Sequence, residues 1–363
     1  MVGVEATELY VTTAKGESGV QVALGRKRAD WNQLDRQWQL GIWEPRFRWD
    51  LLNPDSVGLS GLFVTYERPG FQLTAMGSPG FIPERGAPME LRGDQWVSYS
   101  PLARTPPPVI NVLGSPARVG YELQVPSYAD LLLQPGGSLR ARFGRNQGFW
   151  SAAGYAYKPM NQAILAFDGI FRLGPNAVEV DLHPRAVYHH VLSGEAGYET
   201  RELSLTLSTL FEIPVDTAQP LTRTVQQLAP SQAYSATAQM KPWDLTASVL
   251  VQSGGNAADV GQDADGQSTS FETRYPYQLA ASVSKLWRLS PQLTANSRGI
   301  FDFSNDGMML SAQLSYRFDR SWMASLGGDL LISGAPLTGP GSVDLISLYR
   351  GNDRIQAGVS YVF

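Results

Sequence analysis

The sequence predicts an all-β chain folded as a single antiparallel barrel that crosses a membrane with its strands. Three observations predict it. Apolar residues recur at period two in segment after segment. Several of these segments run to about 9–12 residues, the span a tilted strand needs to cross a bilayer and well beyond the usual soluble strand. Charged residues make up only 17% of the 363, against about a quarter in a soluble domain, as though a solvated outer surface were missing.

Composition closes off the alternatives. The chain has no cysteine, which excludes disulfide scaffolds and zinc–cysteine folds. No stretch approaches the roughly 18 uninterrupted apolar residues of a transmembrane helix. Lys and Arg number 29 against 33 Asp and Glu, a net charge of -4, so there is no basic field for nucleic acid. Aromatic and β-branched residues along the whole length argue against disorder.

The alternation can be followed residue by residue. Leu203, Leu205, Leu207, Thr209, Phe211 and Ile213 share one phase; Glu202, Ser204, Thr206, Ser208, Leu210 and Glu212 share the other, with Leu210 the single apolar intruder. Leu245, Ala247, Val249 and Val251 alternate with Thr246, Ser248, Leu250 and Gln252. The same period runs through 138–143, 310–319 and 354–363. One phase is polar enough for a wet lumen and the other apolar enough for lipid.

Taken in order, about eighteen strands are predicted, at 6–13, 18–27, 37–48, 57–66, 71–78, 117–126, 136–144, 147–157, 162–172, 185–197, 201–213, 232–240, 244–253, 277–288, 292–303, 308–318, 321–332 and 353–363. Sixteen is the competing count, because 6–27 and 185–197 alternate poorly, and 343–350 reads as a further hairpin strand on another count. An even number places both ends on one side. Tight links at 67–70, 158–161, 241–243, 289–292 and 318–321 fall on that side, and longer loops at about 79–116, 173–184, 214–231, 254–276 and 333–352 on the other. No linker or fixed-length repeat appears, so residues 1–363 read as one barrel domain. A barrel of 16–18 strands leaves an aqueous channel unless something fills it.

Residues 79–116 hold eight prolines, among them Pro106-Pro107-Pro108, and so form a semi-rigid loop rather than a spanning strand. Folded inward, the loop would narrow the pore with Glu84, Arg85, Glu90, Arg92, Asp94, Trp96 and Arg104, and deletion of 82–112 would widen it. Folded over the rim, it would cap the mouth. The polar phase offers Arg46, Arg48, Arg140, Arg142, Arg172, Arg298, Arg317 and Arg354 against Asp168, Glu202, Glu212, Asp302 and Asp329. These are the lumen and selectivity candidates. Facing charges create a transverse field that favours anions or hydroxyl-rich solutes, unless they serve only to satisfy one another. Trp31, Trp38, Trp43 and Trp49 read as an interfacial girdle in preference to a sugar track. Tyr155, Tyr157, Tyr316, Phe318, Tyr361 and Phe363 join that girdle, and Lys285 beside Trp287 snorkels to the interface.

Nothing in the pattern calls for an enzyme or a cofactor. His183, His189 and His190 are the only histidines; the adjacent pair point to opposite faces of a strand, and His183 beside Asp181 reads as a solvated loop pair. No metal site is assigned, and no phosphate-binding loop is present.

The last eight residues read Gln356-Ala-Gly358-Val-Ser-Tyr361-Val-Phe363. This resembles the β-signal that bacterial outer-membrane barrels present to the barrel-assembly machinery, with Gln356, Gly358, Tyr361 and Phe363 as its elements. The resemblance covers one strand. It implies a porin-like barrel in the outer membrane of a Gram-negative-type bacterium, surrounded by outer-membrane lipid, with its C-terminus on the periplasmic side and the assembly machinery as a partner in biogenesis. Met1–Glu5 lacks the basic start and apolar core of a secretion signal, so a mature chain is expected. The expected function is passage of hydrophilic solutes. A polysaccharide-export barrel and an occluded structural or partner-binding barrel stay open beside it, as does an oligomer or a periplasmic partner.

Overall fold

The computed structural model describes residues 6–103, 105–112, 114–145, 147–172, 176–215, 224–225, 228–255, 275–334 and 345–361. Among the described residues fifteen strands form the barrel sheet: β1 (Leu9–Thr12), β2 (Val20–Lys27), β3 (Leu59–Arg68), β4 (Phe71–Ser78), β5 (Gly136–Gly144), β6 (Gly148–Pro159), β7 (Tyr188–Glu199), β8 (Leu203–Pro214), β9 (Ser231–Met240), β10 (Leu245–Gly254), β11 (Leu279–Arg288), β12 (Leu293–Asp302), β13 (Gly307–Arg317), β14 (Trp322–Ser333) and β15 (Arg354–Tyr361). Each is antiparallel to the next from β1 to β15. Among the described residues no helix is long and apolar enough to cross a membrane; the strands do the spanning.

Register converts the sequence period into two faces. On β8, Thr206, Ser208, Leu210 and Glu212 are buried inward, while Leu205, Leu207 and Ile213 are exposed outward. β10 repeats this with Ser248, Leu250 and Gln252 inside and Val249 and Val251 outside. An aromatic belt circles the outward face at the short-turn end. In it Phe71 meets Phe143 at 5.1 Å, Phe149 meets Tyr198 at 4.8 Å, Tyr316 meets Phe318 at 5.0 Å and Trp322 meets Tyr361 at 4.9 Å. At the opposite end Tyr157 stacks on Tyr188 at 5.0 Å. Lys285 Nζ lies 3.8 Å from the Trp287 ring centroid. Aromatic belts at both ends of an apolar band are the exterior of a membrane barrel.

The strand count differs from the sequence expectation at three segments. Residues 117–126 and 162–172 are extended but belong to a second sheet, in the order 224–225, Ile164–Arg172, Ala177–Arg185, Ser115–Leu123, Val109–Val112. Residues 37–48 are no spanning strand: they lie inside the barrel as part of the β2–β3 connection. With fifteen alternating strands, β1 and β15 run in the same direction. The tight link at 158–161 also changes sides. It begins the long connection from β6 to β7 and is buried, whereas 69–70, 241–244, 289–292 and 318–321 share the end to which β15 runs. β2, β4, β6, β8, β10 and β14 all end at the other end of the barrel, where the second sheet stands.

Candidate functional site: a filled lumen

The connection 28–58 turns inward, and its short helix α1 (Gln33–Trp38) fixes its shape. Asn32 caps the helix, its Oδ1 accepting from the Asp35 N–H at 3.0 Å. Gln39 ends it in the left-handed region at φ 51°. The Asp35 carboxylate then accepts the N–H groups of Ile42 and Trp43, both at 3.0 Å, and this folds the chain back on itself. Burial pushes the Asp35 carboxyl up, opposed by those two bonds and by the charges of Arg46 and Lys158. The reversal stacks Trp43 on Trp31, with centroids 5.1 Å apart and planes 1° from parallel.

Both rings are fully buried, as is Trp38, which corrects the interfacial girdle expected of these tryptophans. They pack against a ring of inward apolar residues from the wall: Phe63, Val191, Leu210, Leu250, Ile300 and Met309. Leu210, the intruder in the polar phase, is therefore part of the seal. Burying a tryptophan among such side chains stabilises the segment by a few kcal/mol each on transfer arguments.

Polar contacts tie the segment to strands all around the barrel. Glu195 on β7 accepts the Gln33 N–H at 2.6 Å and pairs with Arg140 of β5 at 2.8 Å. Trp38 Nε1 donates to Ser248 Oγ of β10 at 3.1 Å, and Arg298 Nη2 of β12 donates to the Gln37 carbonyl at 3.2 Å. Asn161 donates to the carbonyls of Gly41 and Ile42 at 2.8 and 3.0 Å, and Lys158 donates to Asn161 Oδ1 at 2.8 Å. Arg354 of β15 bridges Asp50 and Asp329, at 2.5 and 2.6 Å. Asp329 also accepts from Asn53 and Ser311.

Of the proline-rich loop, Glu84 and Leu102 reach this interior. Glu84 takes Arg46 at 2.5 Å and Arg48 at 3.3 Å. Burial raises the Glu84 carboxyl, but the two guanidiniums outweigh it and hold the group below its ordinary value. Arg85 contributes its backbone carbonyl to the Arg48 N–H at 2.7 Å. The tip is a half-exposed hairpin, Met89–Arg92 with Gln95–Ser98. There Arg92 pairs with Glu90, Asp94 holds Arg118 at 2.8 Å and Trp96 packs under the second sheet. Arg104 lies outside the described residues.

The other sequence candidates divide by place. Arg142 lies inward over Trp150, 4.8 Å from its centroid. Asp302 is buried at the end of β12, accepting from Ser304 N–H and Asn305 Nδ2 in the link to β13. Glu202 and Arg317 are exposed at the short-turn end. Asp168 and Arg172 lie in the second sheet, Arg172 pairing with Glu179 at 2.5 Å. Gln356, Gly358 and Tyr361 are exposed on β15, and Phe363 lies outside the described residues. Sequence reasoning passed over Glu195, Asp35 and Asn161. Glu195 stood in a segment judged to alternate poorly, although Ser193, Glu195 and the buried His189 and Val191 share one phase.

Above the seal a cleft of about 430 Å³ is lined by Arg48, Leu51, Glu84, Leu102, Thr105 and Tyr349. Arg48, Leu51 and Tyr349 also border a small chamber of about 50 Å³ that ends on Trp38, Tyr277 and Arg298. Arg46, Arg48 and Arg298 against Glu84 leave this approach positive.

A buried polar cluster sits on the wall, where His189 Nδ1 and Glu212 Oε1 are 2.5 Å apart. Tyr275 and Ser231 both donate to Glu212 Oε2, at 2.5 and 3.3 Å. A serine nucleophile is set against its imidazole; here the Ser231 hydroxyl is set against the carboxylate and Tyr275. His190 faces outward to Tyr155 at 2.9 Å, so the adjacent histidines do take opposite faces.

No protein-family model matches the chain, and no curated protein does. Among solved structures it is similar to OccAB4 of Acinetobacter baumannii, at 9% identity over 88% of this chain and 69% of that one, TM-score 0.43. It is also similar to OccAB1 of the same organism, at 11% identity over 95% and 75%, TM-score 0.42. Outer membrane phospholipase A from Escherichia coli is similar at 9% identity over 63% and 79%, TM-score 0.25. Likenesses this remote bring no substrate or mechanism with them.

Proposed function

We propose that the chain is an outer-membrane channel or transporter whose lumen is held shut by residues 28–58. The observation that carries this reading is that one connection crosses the interior and is fastened to opposite walls through side chains. The fastenings are of a kind that can be exchanged for water: Arg354 with Asp50, Arg298 with the Gln37 carbonyl, Gln33 with Glu195. The aromatic belts and apolar exterior support placement in a bilayer, and the β-signal resemblance supports the outer membrane. The positive approach over Trp38 favours anionic or hydroxyl-rich solutes, with the arginines drawing them to the seal.

Planar-bilayer recording tests this. The intact chain is expected to be quiet or to open rarely. A variant with 33–53 replaced by a short Gly-Ser linker is expected to conduct steadily, with reversal potentials favouring anions. Equal conductance before and after the replacement would show that the segment is no gate. A barrel that stays closed without it would favour a structural or partner-binding role.

A further inference from the structure

We propose that Asp168, Asp181 and His183 form a binding site for a divalent cation of the zinc class, in the second sheet outside the lumen. The three come from one antiparallel pair, Ile164–Arg172 with Ala177–Arg185, in which Asp168 lies directly opposite Asp181. Asp181 and His183 are two residues apart on one strand and so share a face. One ligand atom from each lies within 4.8 Å of the others, with His183 Nε2 4.0 Å from Asp168 Oδ2.

The arrangement is costly without a cation. Like charges directly opposite across a strand pair destabilise it, and here the row continues. In the parallel pairing with Ser115–Leu123, Glu122 lies opposite Asp181. Three carboxylates thus stand in line across three strands. Among the described residues no Lys or Arg forms an ion pair with Asp168 or Asp181; the closest basic group is the His183 ring, 4.0 Å from Asp168. The His183 Nε2 is sealed from solvent and has no hydrogen-bond partner, which is unfavourable for a buried polar atom. A metal ion answers both features at once: it takes the nitrogen lone pair and neutralises the facing carboxylates. Two carboxylates with one imidazole suit a first-row divalent ion with an open position for water, whereas calcium prefers oxygen ligands alone. The ion would staple two neighbouring strands of the second sheet, and Glu122 would lend it charge from the third.

The test uses the full chain in detergent, stripped with EDTA and titrated with zinc chloride by calorimetry. One site is expected. Asp181→Asn and His183→Gln are each expected to weaken it at least about tenfold, as loss of a metal-site partner does, while His190→Gln leaves it intact. These positions lie outside the barrel sheet, so heat-modifiable gel migration checks that each variant still folds. No zinc bound at about 1 mM (far weaker than a three-ligand protein site) would overturn the proposal. So would binding unchanged in both variants, or tighter binding of calcium than of zinc.

Discussion

Arg354 Nη2 lies 2.5 Å from Asp50 Oδ2 and so joins the last strand of the barrel to the segment that fills it. Its Nε holds Asp329 on the neighbouring strand at 2.6 Å, which leaves the guanidinium no freedom to follow Asp50 inward or outward. The pair is a fixed hook on the wall and a matching eye on the segment.

Asp50→Asn is expected to weaken this attachment by about 1–2 kcal/mol, the range for a charge-assisted bond at a site that is still partly hydrated. At about 1.4 kcal/mol per tenfold, openings in planar bilayers should become roughly ten times more frequent. Arg354→Met should have the larger effect, because it also leaves Asp329 without its guanidinium. Unchanged gating in both variants would remove the hook from the mechanism.

Trp38 separates packing from hydrogen bonding. Trp38→Ala removes a fully buried indole and is expected to cost about 3–5 kcal/mol. Trp38→Phe loses chiefly the bond to Ser248, about 1 kcal/mol, and Ser248 keeps Thr237 as a partner at 2.9 Å. Amide exchange reads this locally: protection of 33–43 should fall steeply in the first variant and slightly in the second, while protection of β8 and β10 persists. Equal loss in both would contradict the packing account.

Gly154 is where the wall makes room for Trp43. A Cβ there would stand 2.7 Å from Ser193 Oγ and 3.1 Å from the indole. Gly154→Ala should therefore displace the Trp31–Trp43 stack at a cost of about 1–3 kcal/mol. Gly77→Ala, with nothing within 4 Å of the added atom, serves as the matched control. A midpoint of thermal unfolding lowered in the first and unchanged in the second is the expected result.

Glu44 gives the segment a pH dependence. Burial pushes its carboxyl up to about 8, helped by Asp35 and opposed by the Ala29 N–H and by Arg28 and Arg36. The folded state thus binds the proton more tightly than the unfolded state, whose carboxyl titrates near its ordinary value of 4.5. The contribution to stability is whole below that value and is lost as the pH rises toward about 8. Protection of the segment, or the fraction of closed time, should fall across this window in the natural chain. Glu44→Gln should flatten the dependence; a slope that persists in that variant would assign it to another group.

The wall was legible because a spanning strand writes its two solvents into alternate residues: Leu205 and Leu207 for lipid, Thr206 and Ser208 for the interior. The filling was less so. Trp38, Leu40 and Ile42 also alternate, and a helix of six residues is too short to show its own period, so 37–48 read as one more strand. What would have betrayed the filling was in view at Leu210 and Leu250, apolar residues in a phase that water alone would have kept polar. The second sheet was missed for a different reason. Val119, Tyr121 and Leu123 do form a strand, but their partners are Val178, Val180 and Leu182 in parallel, and a local pattern declares a strand without declaring its sheet. Asp168 went to the lumen list by the same step.

The bond between Arg354 and Asp50 spans 304 positions of the chain, and that separation orders biogenesis. The inner segment is synthesised before most of the wall that will enclose it, and its last fastening arrives with β15. Contacts so distant in sequence form late and slowly. Until they form, the indoles of Trp31, Trp38 and Trp43 have only part of their eventual enclosure, and a half-built barrel would expose them. The wall's hold on the segment is thus completed only when the final strand is in place.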